Sequence, residues 1–298
     1  MKDTTKNLYH ERMHTVLLHI QSHLDEDLTL DSLAKMTHFS PIHFHRIFKG
    51  MIGETVVEHI RRIRLERAAL RLTCSQSNVT DASFDAGYET VESFSRAFKK
   101  MFGCPPSKYQ EQHWGILYKR IPGFVHYLPE NARTGLTIEN NMEINVEVRI
   151  ETVEPMQVAF VRHTGPYIEC KPAWDTLCGW AGPKGLLRMD SKYIGISHDD
   201  PQVTPPEKIR YDACVTVGNN VEGEGEVGIQ TIGGGTFAVT THKGPYEKLE
   251  VTYAELMGKW LPQSGKEMTE KSCFEVYLND PEQTPPKELL TDIYISVK

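Results

Sequence analysis

The feature that most constrains this chain is a duplication in its second half. His163 to Trp180 reads HTGPYIECKPAWDTLCGW, and His242 to Trp260 reads HKGPYEKLEVTYAELMGKW. The likeness extends on both sides. VRIETV (148–153) matches VGIQTI (227–232), VAFVRHTGPY (158–167) matches FAVTTHKGPY (237–246), and DDPQVTPPEKIRYDACVTV (199–217) matches NDPEQTPPKELLTDIYISV (279–297). Each copy alternates as strands do, breaks at Gly-Pro, continues at helical spacing and alternates again. The order is strand, strand, helix, strand, strand, in copies of about 145–218 and 225–298. A repeat present only twice implies a pseudo-two-fold domain rather than a solenoid. Eight strands and two helices imply a duplicated antiparallel α+β domain.

The first half carries a different repeat. LTLDSLAKMTHFSPIHFHRIFKGMIG (28–53) predicts a helix, a break at His38-Phe39-Ser40 and a second helix, with Ser40 as N-cap and Pro41 at its first position. Phe44, Ile47, Phe48 and Met51 form its apolar stripe, and Ile42, His45, Arg46 and Lys49 are expected on the opposite face. After the helical stretch 54–72, NVTDASFDAGYETVESFSRAFKKMFG (78–103) returns to the pattern: Phe94, Phe98 and Gly103 repeat Phe44, Phe48 and Gly53 at an offset of 50. Val91, Glu92, Ser95 and Arg96 are expected on the exposed face of the later helix. The reading is an all-helical domain over residues 1–112 with two helix-turn-helix units. Two such helices can enter successive major-groove turns, so a single chain can read DNA without a dimer.

Residues 8–112 resemble the DNA-binding domain of AraC/XylS-type transcription regulators, and GYETVESFSRAFKKMFGCPPSKYQ (87–110) is similar to that family's second-unit signature. The resemblance implies that Ile42, His45 and Arg46 read bases from the first unit, and Glu92, Ser95 and Arg96 from the second. Lys49, Lys99, Lys100 and the Arg61–Arg71 cluster are expected to meet phosphate or solvent. An Arg set against guanine discriminates by about 1–3 kcal/mol; the bland alternative for Arg46 and Arg96 is phosphate contact or an acidic neighbour.

Where two copies of one frame differ, a site is expected. At an offset of 80, GIS (195–197) faces EVY (275–277), so Glu275 and Tyr277 share a strand face that carries Gly195 and Ser197 in the other copy. The shared His-x-Gly-Pro-Tyr corner, with Tyr167 and Tyr246, reads as scaffold. Residues 145–298 resemble the GyrI-like (SHS2-type) effector-binding domain, and the domain order resembles the Rob-like regulators. The resemblance implies a cleft at the pseudo-two-fold for an amphipathic or cationic small molecule, with Glu275 as its acid. Its candidate aromatic walls are Tyr277, Trp174, Tyr253, Trp180 and Trp260, of which Trp174 and Tyr253 are favoured. A desolvated carboxylate attracts a cation, and ring faces add to it.

Residues 1–120 hold 17 Lys and Arg against 14 Asp and Glu, the remainder 16 against 26, so only the first half leans towards a polyanion. The six cysteines show no C-x-x-C spacing and read as reduced thiols. No secretion signal or membrane-spanning run is seen, and a cytoplasmic protein is expected. HERMH (10–14) matches the zinc-protease H-E-x-x-H pattern, but without an evident third ligand it reads as a polar helix face. No cofactor or metal is expected. The stretch 113–143 reads as a linker and 144–298 as the second domain. The leading function is a DNA-binding transcription regulator responding to a small molecule, with double-stranded DNA and RNA polymerase as partners. The alternatives are hydrolysis of small electrophiles with Glu275 as base, or regulation through a protein partner.

Overall fold

A computed structural model describes residues 2–74, 78–112, 125–127, 144–201, 204–269 and 271–298. Its contacts divide the chain into two compact units, one built mainly from Asp3–Glu143 and the other mainly from Ile144–Leu256 with Gln263–Lys298.

The first unit is helical: α1 (Lys2–Ser22), α2 (Leu30–Thr37), α3 (Pro41–Ile52), α4 (Val56–Cys74), α5 (Val79–Asp85), α6 (Val91–Phe102) and α7 (Pro106–Gln112). The two reading helices start and stop by the same chemistry. Ser40 accepts from the His43 amide and Thr90 from the Ser93 amide, each satisfying an amide with no partner inside the helix. Gly53 (φ 84°) and Gly103 (φ 80°) close them in the left-handed conformation. The turns differ. Gly87 takes φ 78°, whereas in the first unit His38 takes φ 56° and ends α2 as its C-cap. Phe94 and Phe98 pack on Leu65, Ala68, Ala69 and Leu72 of α4, which couples the second unit to the central helix.

The second unit is an eight-stranded antiparallel sheet: β1 (Arg149–Val153), β2 (Met156–Thr164), β3 (Tyr193–Ser197), β4 (Arg210–Thr216), β5 (Gly228–Ile232), β6 (Gly235–Lys243), β7 (Phe274–Tyr277) and β8 (Leu290–Ser296). Helices α8 (Lys171–Ala181) and α9 (Leu249–Glu255) follow β2 and β6. A π-helical turn (Leu256–Trp260) and α10 (Leu261–Ser264) continue α9. The strand order is β1-β6-β8-β7-β3-β4-β2-β5. The two copies therefore meet at β3 and β7, and they exchange their first strands. β1 pairs with β6 of the second copy, and β5 pairs with β2 of the first.

The duplicated phrase is a corner. Gly165 (φ 139°) and Gly244 (φ 141°) turn the chain between strand and helix, and a Cβ on Gly165 would stand 3.1 Å from His163 Nε2. His163 Nε2 lies 3.0 Å from the Pro166 carbonyl, and His242 Nε2 lies 3.3 Å from that of Pro245. One face of the sheet packs on α8 through Ala159, Val161, Ala213 and Leu177. The other holds a core of strand side chains alone, with Phe274 stacked on Tyr294 at 4.6 Å and Phe237 at 5.3 Å from Phe274, so the sheet curls on itself. Strand alternation sends Phe274 and Val276 into this second core and leaves Glu275 and Tyr277 for the helix-bearing face.

Candidate functional site

Register sets the site. In the pairing of β3 with β7, Gly195 lies directly opposite Glu275 and Tyr193 opposite Tyr277. Glu275 is buried, at 4 % exposure. Tyr253 of α9 donates to its Oε1 at 3.0 Å, and Tyr277 donates to its Oε2 at 3.0 Å. Tyr211 of β4, from the first copy, stands 2.9 Å from the Tyr277 hydroxyl. Because Tyr277 gives its proton to the carboxylate, its oxygen accepts from Tyr211, and the chain of bonds crosses the pseudo-two-fold. Burial raises the Tyr211 and Tyr277 phenols well above their ordinary value, and burial with the charge of Glu275 pushes Tyr246 up to about 12. All three stay protonated. A buried carboxylate that accepts two such bonds is held as the anion.

Aromatic rings surround this carboxylate. Trp174 of α8 meets Tyr277 edge-on at 5.9 Å and lies 6.5 Å from Tyr211 and 6.2 Å from Tyr193. Tyr246 packs on Tyr277 at 5.3 Å, and Tyr167 on Tyr211 at 5.9 Å. A buried anion among π faces is suited to an organic cation with apolar substituents.

Of the expected residues, Glu275, Tyr277, Tyr253 and Trp174 are brought together. Trp180 and Trp260 are placed apart. Trp180 lies at the far end of α8 with Lys184 over its ring at 5.1 Å, and Trp260 ends the π-helical turn. Tyr167 and Tyr246, read as scaffold, flank the phenol cluster. Tyr211 was not foreseen, although the signal was present: Thr291 takes its place in the other copy, a difference as sharp as Gly195 against Glu275.

In the first unit, Glu92, Arg96 and Lys99 are exposed on α6, and Ser95 is half-buried beside them. On α3, Ile42, Arg46 and Lys49 are half-buried, and His45 is corrected: it is 1 % exposed. It sits about 100° round the helix from Phe44, beside buried Ile52, on the flank of the apolar stripe rather than opposite it. The Arg61–Arg71 cluster is also corrected. Arg62 donates to Glu54 (2.5 Å), Glu66 (2.6 Å) and the Val125 carbonyl (2.6 Å). Arg64 donates to the Leu24 carbonyl, Arg67 to Asp25, and Arg71 to Asp85. These arginines bind the helical unit to itself, and Arg61 stays exposed. Residues 125–127, inside the expected linker, are docked on α4 and α1: Glu66 accepts from the Tyr127 amide (2.6 Å) and Gln21 donates to the His126 carbonyl (2.8 Å). Among the described residues, no three His, Cys, Asp or Glu side chains are grouped as a metal ion requires, and no helix is long and apolar enough to cross a membrane.

A phenol-caged acid on a duplicated sheet, beside paired helix-turn-helix units, defines a class. Residues 146–298 match the GyrI-like small molecule binding domain, and residues 33–112 match a helix-turn-helix domain. The chain belongs to the AraC-type regulators that carry a GyrI-like small molecule binding domain. It is 33 % identical over 98 residues to the regulatory protein SoxS of Salmonella typhimurium, covering 33 % of this chain and 92 % of SoxS. It is 34 % identical over 102 residues to the uncharacterized HTH-type transcriptional regulator YbfP of Bacillus subtilis, covering 34 % of this chain and 35 % of that one. It is 31 % identical over 108 residues to the right origin-binding protein of Escherichia coli, covering 36 % and 37 %. The matches thus span about a third of the length of the last two relatives. Among solved structures, the EcmrR C-terminal domain aligns at 21 % identity with a TM-score of 0.44, over 52 % of this chain and 98 % of that one.

Proposed function

We propose that this protein is a sequence-specific, cytoplasmic transcription regulator whose second unit binds an amphipathic organic cation at Glu275. The observation that carries the reading is the buried Glu275 carboxylate held between the Tyr253 and Tyr277 hydroxyls and walled by Trp174 and Tyr246. α3 and α6 present Arg46 and Arg96 for base or phosphate contact, and RNA polymerase is the partner such a regulator addresses. Binding can shift activity only if the ligand has different affinity for two states of the protein.

The test is calorimetric titration of the full chain with dodecyltrimethylammonium, beside Glu275→Gln. The glutamine keeps the shape of the acid and removes its charge. Binding that weakens at least tenfold in the variant supports the site, and equal binding removes it. Hydrolysis of a small electrophile would require Glu275 to take a proton from water, yet both its oxygens already accept from phenols. Turnover of such a molecule by the wild-type chain, lost in Glu275→Gln, would favour that reading instead.

A further inference from the structure

The duplication permits a second comparison, of space rather than side chains. In the first copy α8 lies on β2 and β4, and the gap beside it is filled. Leu186 and Leu187, from the loop after α8, join Trp180 and Val217 against a floor that includes Val161, Ala173 and Val227. In the second copy the corresponding space is open. A cavity of about 930 Å³ lies between α9, the end of β6 and the extended segment 145–149, within the range usual for small-molecule sites.

The floor changes chemistry as well. Val161, Ala173 and Tyr211 of the first copy correspond to Thr240, Thr252 and Thr291 of the second. Thr240 and Thr252 line the cavity with His242. Thr291 is paired with His242 on one side and Tyr277 on the other, so it shares their face of the sheet. It is fully buried, and its Oγ1 has no hydrogen-bond partner among the described residues.

The unused bonding capacity defines the occupant. Thr240 gives its hydroxyl proton to the Glu147 carbonyl at 2.8 Å. The Pro245 carbonyl can only accept, so His242 Nε2 carries the proton. Burial lowers the His242 pKa and keeps the ring neutral, so its Nδ1 accepts from Thr252 at 2.8 Å. Both threonine oxygens retain lone pairs that call for hydroxyl donors. At the rim Lys243 and Lys248 offer ammonium groups, which call for an anion.

We propose that this cavity is a second small-molecule site, separate from Glu275, and that it takes a polyhydroxylated carboxylate of the sugar-acid class. Hydroxyls of the ligand donate to Thr240 and Thr252, and its carboxylate meets Lys243 and Lys248. One wall is the segment by which the chain enters β1, so occupancy orders that segment.

The experiment uses the full chain with D-gluconate, and with D-glucitol and hexanoate as probes that each lack one half of the chemistry. Calorimetry measures affinity, and hydrogen exchange locates the contact. The expected result is gluconate binding that slows exchange at 145–149 and 249–255, at least tenfold weaker binding of glucitol and hexanoate, and a tenfold loss in each of Lys243→Met and Lys248→Met. Those variants change exposed side chains, and unchanged melting curves verify their fold. Glu275→Gln should bind gluconate as the wild type does. The proposal is overturned by absence of protection at those segments, by glucitol binding as well as gluconate, or by binding that survives both lysine changes. Loss of gluconate binding in Glu275→Gln also overturns it, by moving the ligand to the phenol-lined acid.

Discussion

Gly195 and Glu275 are corresponding positions of the two copies and also direct partners across β3 and β7. A Cβ at Gly195 would stand 2.3 Å from the Tyr277 hydroxyl and 2.7 Å from that of Tyr211. The glycine is therefore the space through which the phenol chain reaches the acid. Gly195→Ala should part the two tyrosines, destabilise the second unit by about 1–3 kcal/mol and weaken binding of an organic cation at least tenfold. Paired denaturation and calorimetric titrations measure both effects. A variant that binds normally would show that the Tyr211 bond is dispensable.

Thr291 presents the opposite case. Its buried hydroxyl lacks a partner among the described residues, so it bears a desolvation cost without a compensating bond. Thr291→Val keeps the shape and removes that cost. The expected change is a gain of about 1 kcal/mol in unfolding free energy, read from urea denaturation at constant m-value. A loss of stability would reveal a bond made by that oxygen.

Acid should loosen the helical unit first at α4. Burial alone would raise the Glu54 pKa, but hydrogen bonds from His59 and Arg62, with the charge of Arg62, pull it down to about 2. A group whose folded pKa is depressed contributes stability above its unfolded value and loses it as pH falls through the folded value. The contribution, on the order of 3 kcal/mol, is thus full above about pH 5 and gone near pH 2. His59, lowered by burial, acts in the same direction because it must stay neutral. Hydrogen exchange of α4 amides in the full chain between pH 5 and pH 2.5, corrected for intrinsic exchange, should show this slope, and Glu54→Gln should flatten it.

The reading helices should separate by role. Arg96→Ala removes an exposed cation from α6. A base contact would appear as about 1–3 kcal/mol lost at one operator position, a phosphate contact as uniform weakening with a salt slope reduced by about one. His45→Ala should instead lower stability and leave base preference unchanged, because the imidazole is buried. Selection of binding sites from a randomised pool, run with melting curves, distinguishes these outcomes.

Much of this was legible before any coordinates. Caps, turns and apolar stripes are local, so Ser40, Thr90, Gly53 and Gly103 announce the reading helices directly. The difference between copies pointed to Glu275 and Tyr277. It would also have pointed to Tyr211 had the comparison with Thr291 been made. Tyr246 was discounted because both copies carry it, yet a shared residue can serve the site in one copy and the frame in the other. His45 lies at the margin of a helical face, where periodicity alone does not separate buried from exposed. The arginines of α4 resemble a basic patch until Glu54, Glu66, Asp25 and Asp85, distant in sequence, are brought beside them. The exchange of β1 and β5 leaves no local trace, because either pairing gives the same alternation.

That exchange bears on how such a domain can exist at all. Cut into its two copies, it would be a dimer in which each chain completes the other's sheet edge, and its symmetry axis would pass between positions 195 and 275. With identical halves, an acid at that position would face its own twin across the ladder, and like charges set directly opposite repel. Joining the copies in one chain removes the obligation to be identical. One half can keep the carboxylate while the other recedes to a hydrogen atom, so a binding centre with one charge can sit on the axis of a nearly symmetric frame.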